Sequence, residues 1–156
     1  MLNQLLLKIR FIIHKKSNPI LWTQTSEEFL HVLIQYLKKS DKVIELGCGS
    51  AHISFILAKL GYNIALNEIR ENSLIQAKDV FEKHSVSVKY ISGNLFSISD
   101  HYDFAWNSGL IQCFTDSEKK RFVAKLAKNF NKILLFFPNT LDQNKVRGSN
   151  KKNIPC

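Results

Sequence analysis

Val43-Ile44-Glu45-Leu46-Gly47-Cys48-Gly49-Ser50-Ala51 decides the reading of this chain. A short apolar run ends in two glycines separated by one residue, and an acid stands two positions before the first of them. Gly47 and Gly49 remove side chains where a backbone must pass close to a ligand and a helix begins, which is the general form of a turn for a nucleotide-like group. A dinucleotide-binding fingerprint would add a third glycine at position 52 for close helix packing, and His52 stands there instead. The dehydrogenase reading therefore weakens.

Outward from that turn, short apolar runs alternate with amphipathic helices, the pattern of βα units on a parallel sheet. Strands are predicted over 42–46, 63–67, 87–92, 102–107 and 132–137, the last stopped by Pro138. The helix after the first strand is expected to close at Gly61, and others to span 72–83 and 115–128. Thr115-x-x-Glu118 has the form of a capping box, and so does Thr25-x-x-Glu28, which would open a helix running to about Lys39 ahead of the first strand. Residues 1–16 read as an amphipathic helix with Leu2, Leu5, Leu6, Ile9, Ile12 and Ile13 on one face, broken by Ser17-Asn18-Pro19. The expected organisation is this helix and linker over 1–24, one domain over 25–141, and a polar basic tail over 142–156.

The formal charge of +9 suggests nucleic acid until it is mapped along the chain. Between Ser17 and Asp142 fourteen basic residues face thirteen acidic ones, so the body is near neutral and the excess sits at the two ends. Lysines without interleaved aromatics read as solubilising charge rather than as an RNA surface. Cys48, Cys113 and Cys156 form neither a CxxC pair nor an even set, so no zinc site or oxidised scaffold is indicated, and a reducing cytoplasm is the expected setting. Lys8 and Arg10 interrupt the apolar N-terminus, leaving neither a signal-peptide core nor a membrane span.

Glu45-Leu46-Gly47-Cys48-Gly49-Ser50-Ala51 resembles the E/D-x-G-x-G-x-G motif of class I S-adenosylmethionine-dependent methyltransferases, departing from it at Ala51. The resemblance covers roughly residues 25–140, and further segments match at the later strand ends in the right order. It implies an α/β, doubly wound, mostly parallel Rossmann-like sheet in the order 3-2-1-4-5, with S-adenosyl-L-methionine as the cofactor. It also implies roles. Glu45 would receive the methionyl ammonium, and Gly47, Cys48 and Gly49 would accommodate the methionine and ribose portions. Glu68, at a spacing that suits an acid accepting from a ribose diol, would take the two hydroxyls, with Ile69 against the adenine. Asn94 and Leu95, where aspartate is commoner at the first position, would meet the adenine edge. Asn107 and Ser108, in the segment running from Trp106 to Phe114, would lie beside the methionine chain and face the acceptor. Trp106 could help hold the cationic sulfur.

That segment lacks Asn-Pro-Pro-Tyr, which disfavours nucleobase and glutamine amino groups as acceptors, and it has Gln112-Cys113 where related small-molecule enzymes often carry Glu-His. No catalytic base is assigned; positioning alone can supply much of the rate of a sulfonium transfer. The expectation is a methyltransferase for a small-molecule or lipid-like acceptor. Its rivals are a truncated or non-catalytic cofactor-binding domain acting through a partner, and an RNA methyltransferase. The family usually has seven strands, and only five are predicted here, apparently without strands 6 and 7. The strand at 132–137 reads as buried on both faces and would otherwise be an apolar edge open to self-association. The N-terminal helix is expected to pack on the domain or act as a lid. Peripheral membrane attachment is the weaker use, since one short basic helix binds membranes poorly without a second signal.

Overall fold

A computed structural model describes residues 24–136. The predicted N-terminal helix and the basic tail lie outside the described residues. Helix α1 (Gln24–Tyr36) leads into β1 (Lys42–Leu46), α2 (His52–Lys59), β2 (Asn63–Glu68), α3 (Glu71–Lys83), β3 (Lys89–Ser92), β4 (Tyr102–Ser108), α4 (Asp116–Asn129) and β5 (Phe130–Phe136). Single 3₁₀ turns at Leu95–Ser97 and Ile111–Cys113 follow β3 and β4.

The five strands are all parallel and stand in the order β3-β2-β1-β4-β5. That is the order the resemblance implied. β1 is central because its residues are apolar on both faces, and alternate side chains supply two separate cores. Val43 joins Ile64, Leu66, Phe104 and Trp106 beneath α1, α2 and α3, which contribute Leu30, Leu33, Ile56, Leu57 and Phe81. Ile44 and Leu46 join Ala65 and Ala105 on the other face, covered by Leu95, Ile98 and, from α4, Phe122 and Leu126. Helices therefore lie on both faces, as a parallel sheet requires. Phe29 of α1 meets the Trp106 ring edge-on at 5.4 Å, locking α1 to the middle of the sheet.

Local signals explain most of the boundaries. Gly61 takes φ +83°, a left-handed conformation. Its N–H reaches Ala58 O at 2.9 Å while Tyr62 N–H reaches Leu57 O at 3.1 Å, a complete Schellman ending for α2. At α4, Thr115 accepts from Glu118 N–H and the Glu118 carboxylate accepts from Thr115 N–H at 2.8 Å, the predicted reciprocal capping box. The other predicted box is corrected: α1 already includes Gln24, so Thr25 lies inside the helix, which stops at Tyr36 rather than Lys39. β3 starts at Lys89, not Ser87; among the described residues it is an edge strand paired with β2 alone.

The burial expected of β5 also needs correcting. Phe130 is buried, but Asn131 and Lys132 are exposed and Ile133, Leu134, Leu135 and Phe136 are half-buried. The strand pairs with β4 alone among the described residues, so it receives cover from one side only. At the N-terminal ends of the strands a polar lattice joins neighbours. Asp103 accepts from Lys42 N–H at 2.9 Å and from Asn131 Nδ2 at 3.2 Å, tying β1, β4 and β5 together, and Asp41 caps the end of the α1 loop by accepting from Lys38 N–H at 2.9 Å. No helix of the described residues is long and apolar enough to cross a membrane, and among them no group of residues could hold a metal ion.

Candidate cofactor site

The sheet order reverses between β1 and β4, and at such a switch point the loops after the two strands diverge and leave a crevice at the carboxyl ends. Here that crevice has a volume of about 480 Å³, and Gly47, Glu68, Ile69, Asn94, Leu95 and Ser108 line it. Six of the predicted site residues are thus brought to one wall-to-wall space. Glu45, Cys48, Gly49 and Asn107 stand behind or beside it.

Gly47 takes φ +65°, and a Cβ there would meet Leu110 Cδ1 at 2.9 Å, so the loop after β4 packs directly on the bare backbone of the turn. Ala51, the one departure from the motif, is also left-handed at φ 52° and is buried. An alanine pays about 1 kcal/mol for that conformation, and its buried methyl returns a similar amount.

Glu45 sits at 6% exposure with Oε2 lacking any hydrogen-bond partner. Burial pushes its carboxyl up to about 8; the nearby Ser54 hydroxyl softens the effect and the Glu68 charge adds to it. A buried acid with an oxygen left unpartnered is costly, and a cation arriving beside it would reverse the shift. Asn107, fully buried at the end of β4, likewise has both amide atoms unpartnered. These orphaned groups at the ends of adjacent strands fit a polar ligand such as an amino acid moiety.

Glu68 is differently placed. Its Oε2 accepts from Gly49 N–H at 2.8 Å, and Oε1 accepts from Arg70 N–H at 3.0 Å and Arg70 Nε–H at 3.3 Å. Burial alone would raise its carboxyl, but these bonds and the guanidinium charge outweigh it and hold the acid below the usual range. Asn67, one residue earlier and on the opposite face, donates to Ile91 O at 3.2 Å and Gly93 O at 3.0 Å, which fastens the loop carrying Asn94 to β2. The Asn94 oxygen accepts from Phe96 N–H at 2.9 Å and so caps the 3₁₀ turn. One of its lone pairs is spent there, leaving one for a ligand. Ile69 is 62% exposed at the rim, an apolar surface without a protein partner of its own size. Burial pushes the Cys48 thiol up, so it is a packed core residue behind the crevice rather than a nucleophile.

Trp106 differs from the expectation. It is wholly buried against Phe29 and absent from the crevice wall, so it has no access to a cationic sulfur. Sequence reasoning missed Arg70, Phe96 and Glu118, all of which line the crevice. Only Arg70 left a signal, a cation two residues from an acid at a strand end. Leu110 and Phe114 add an apolar part of the wall and belong to the segment expected to face an acceptor.

Comparison with known proteins agrees with this geometry. Residues 43–132 match the model of a family described as a methyltransferase domain. A ribosomal protein L11 methyltransferase from Thermotoga neapolitana is 36% identical over 76 residues, which is 48% of this chain and 28% of the relative. The chain thus spans under a third of that relative's length. Among solved structures, magnesium protoporphyrin IX methyltransferase from Synechocystis PCC 6803 with bound S-adenosylhomocysteine superposes with a TM-score of 0.70 at 19% identity, covering 80% of this chain and 60% of that one. A SAM-dependent methyltransferase from Methanosarcina mazei gives 0.64 at 21% identity, covering 75% and 62%. With the order β3-β2-β1-β4-β5, the glycine turn between two buried acids and a family match over more than half its length, the chain belongs to the methyltransferase domain family of class I, Rossmann-like, S-adenosylmethionine-dependent enzymes.

Proposed function

We propose that the chain binds S-adenosylmethionine in the crevice at the carboxyl ends of β1, β2 and β4 and transfers its methyl group to a small-molecule or lipid-like acceptor. The observation that carries the reading is Glu45, a buried acid with an unpartnered oxygen beside the glycine turn. In this reading Glu45 receives the methionyl ammonium, and the backbone of Gly47, Cys48 and Gly49 follows the methionine and ribose. Glu68 accepts from the ribose hydroxyls, Ile69 and Leu95 bracket the adenine, and Asn94 accepts from its amino group. Asn107 and Ser108 border the methionine chain. The cofactor supplies an electrophilic methyl on a sulfonium, so the protein's task is alignment and exclusion of water rather than acid–base chemistry.

The acceptor class rests on the apolar wall of Phe96, Leu110 and Phe114 on the far side of the crevice. The relatives' names do not choose for it, since one acts on a ribosomal protein and another on a porphyrin. Residues 25–141 are taken as the catalytic domain, a cytoplasmic setting as its location, and the β5 edge as the place where a second copy would pair.

Calorimetry with S-adenosylmethionine and with S-adenosylhomocysteine tests the binding claim, and no heat with either at high protein concentration would sink it. Transfer of labelled methyl from the cofactor to cell extract, separated into small-molecule, lipid, RNA and protein fractions, tests the acceptor. Label in the small-molecule or lipid fraction is expected. Label confined to RNA selects the RNA methyltransferase, and binding without label anywhere selects the non-catalytic domain.

A further inference from the structure

A carboxylate offers about four lone-pair sites, two on each oxygen. Glu68 has already filled three of them, with Gly49 N–H on Oε2 and with Arg70 N–H and Nε–H on Oε1. A vicinal diol brings two donors, and only one site is left. Something must yield. The two backbone donors cannot, because one belongs to the glycine turn and the other to the N-cap residue of α3, both held by the backbone. The Arg70 side chain can. It is 56% exposed whereas the Glu68 side chain is 3% exposed, so a mobile cation rests on an immobile acid. The guanidinium also reaches over the turn, with Nη2 lying 3.8 Å from where a Cβ on Gly49 would stand. It therefore covers the strip between Glu68 and the turn, where a ribose bound to that acid must lie.

Resting on the cofactor reading above, we propose that the Arg70 side chain occupies the ribose-diol subsite on Glu68 in the ligand-free protein and is displaced from it when a nucleoside bearing both hydroxyls binds. Arg70 is then a positioning residue. It holds Glu68 charged and oriented toward the crevice while the subsite is empty, and it sets how much affinity the diol contributes. The cation is more than half solvated, so the displacement is cheap, reducing affinity for a diol ligand by about two- to fivefold. The backbone bonds from Gly49 and Arg70 stay in place throughout, which is why the acid keeps its orientation after the guanidinium leaves.

The test compares the wild-type chain with Arg70→Met, which keeps the aliphatic stem and removes both charge and Nε–H. Binding is measured for S-adenosylhomocysteine, adenosine and 2′,3′-dideoxyadenosine. The variant is expected to bind the two diol ligands about two- to fivefold more tightly and the dideoxy compound unchanged. Equal tightening for all three, or weaker binding of the diol ligands, overturns the proposal. A second readout needs no mutation of Arg70: the ¹⁵N-edited NMR signal of its Nε–H should move, at saturating S-adenosylhomocysteine, toward its position in ligand-free Glu68→Gln. Saturation that leaves this signal in place overturns the displacement while the cofactor reading stands. Absence of any S-adenosylhomocysteine binding to the wild-type chain overturns both.

Discussion

Glutamine in place of Glu45 should stabilise the ligand-free chain at neutral pH and cripple cofactor binding. The carboxyl has an ordinary value of 4.5 and is pushed up to about 8 in the fold. A folded value above the unfolded one means that the protonated acid is favoured by the fold. Its contribution is complete below 4.5 and is lost as pH rises toward 8. The loss is about 1.4 kcal/mol per pH unit within that window, or on the order of 5 kcal/mol across it. Glu45→Gln removes this slope, so the difference in stability between variant and wild type should widen steadily from pH 5 to pH 8 in urea titrations. Cofactor binding runs the linkage the other way. Below pH 8 the free protein holds the proton, and an ammonium set against the carboxylate expels it. At pH 7 about 0.9 proton should be released per cofactor bound, and affinity should rise with pH up to about 8. Calorimetry in phosphate and in Tris, which differ widely in ionisation heat, reads that number directly. The variant should release none and bind about 10- to 100-fold more weakly, the worth of a charge-assisted bond. Tight binding by the wild type with the same heat in both buffers, or parallel stability curves for the two proteins from pH 5 to 8, would refute the reasoning.

Other substitutions bear on separate parts of the structure. Gly47→Ala puts a methyl 2.9 Å from Leu110 Cδ1 on a left-handed backbone; it should cost about 1–2 kcal/mol in thermal or chemical unfolding and weaken cofactor binding in calorimetry. Thr115→Ala removes the N-cap of α4 and should cost about 1 kcal/mol in chemical unfolding, and because its capping partner Glu118 lines the crevice, cofactor affinity measured by calorimetry should fall with it. Glu68 behaves oppositely to Glu45 toward acid. Its carboxyl is held below 4.5 in the fold, so its contribution is present above 4.5 and disappears as pH falls through the folded value. Glu68→Gln should accordingly flatten the low-pH side of the stability curve, as followed by circular dichroism.

The fold was legible because its signals are local and repeated. Val43 to Leu46 and Tyr102 to Asn107 carry apolar side chains on both faces apart from Glu45, Asp103 and Asn107, which a covered parallel sheet accommodates, and Gly61 and Thr115 mark helix ends through bonds within one turn. The ends of α1 and β3 were misplaced because they depend on which neighbour covers them. In the site, Glu45 could be named from the resemblance of its glycine turn to a family motif and Glu68 from its spacing together with that resemblance, and each sits at the end of a strand whose position the sheet fixes. Trp106 was misread for a geometric reason: an aromatic near a strand end faces either the crevice or a helix, and here Phe29 of α1 claims it. Arg70 and Phe96 were missed because their importance comes from loops that meet only in three dimensions. Asn94 shows the remaining difficulty, since one amide both caps a turn and borders the crevice, and a sequence cannot apportion its bonds.

The polar lattice around Asp103 and the crevice around Glu45 lie at opposite poles of the same strands, separated by the length of β1 and β4. Changes at the two poles share no partners, so their free energies should add. A chain built this way can tolerate costly experiments at the crevice, including new acceptor walls or a second unpaired acid, provided the far pole is tightened to compensate. The arrangement makes the crevice end of the molecule the one free to change.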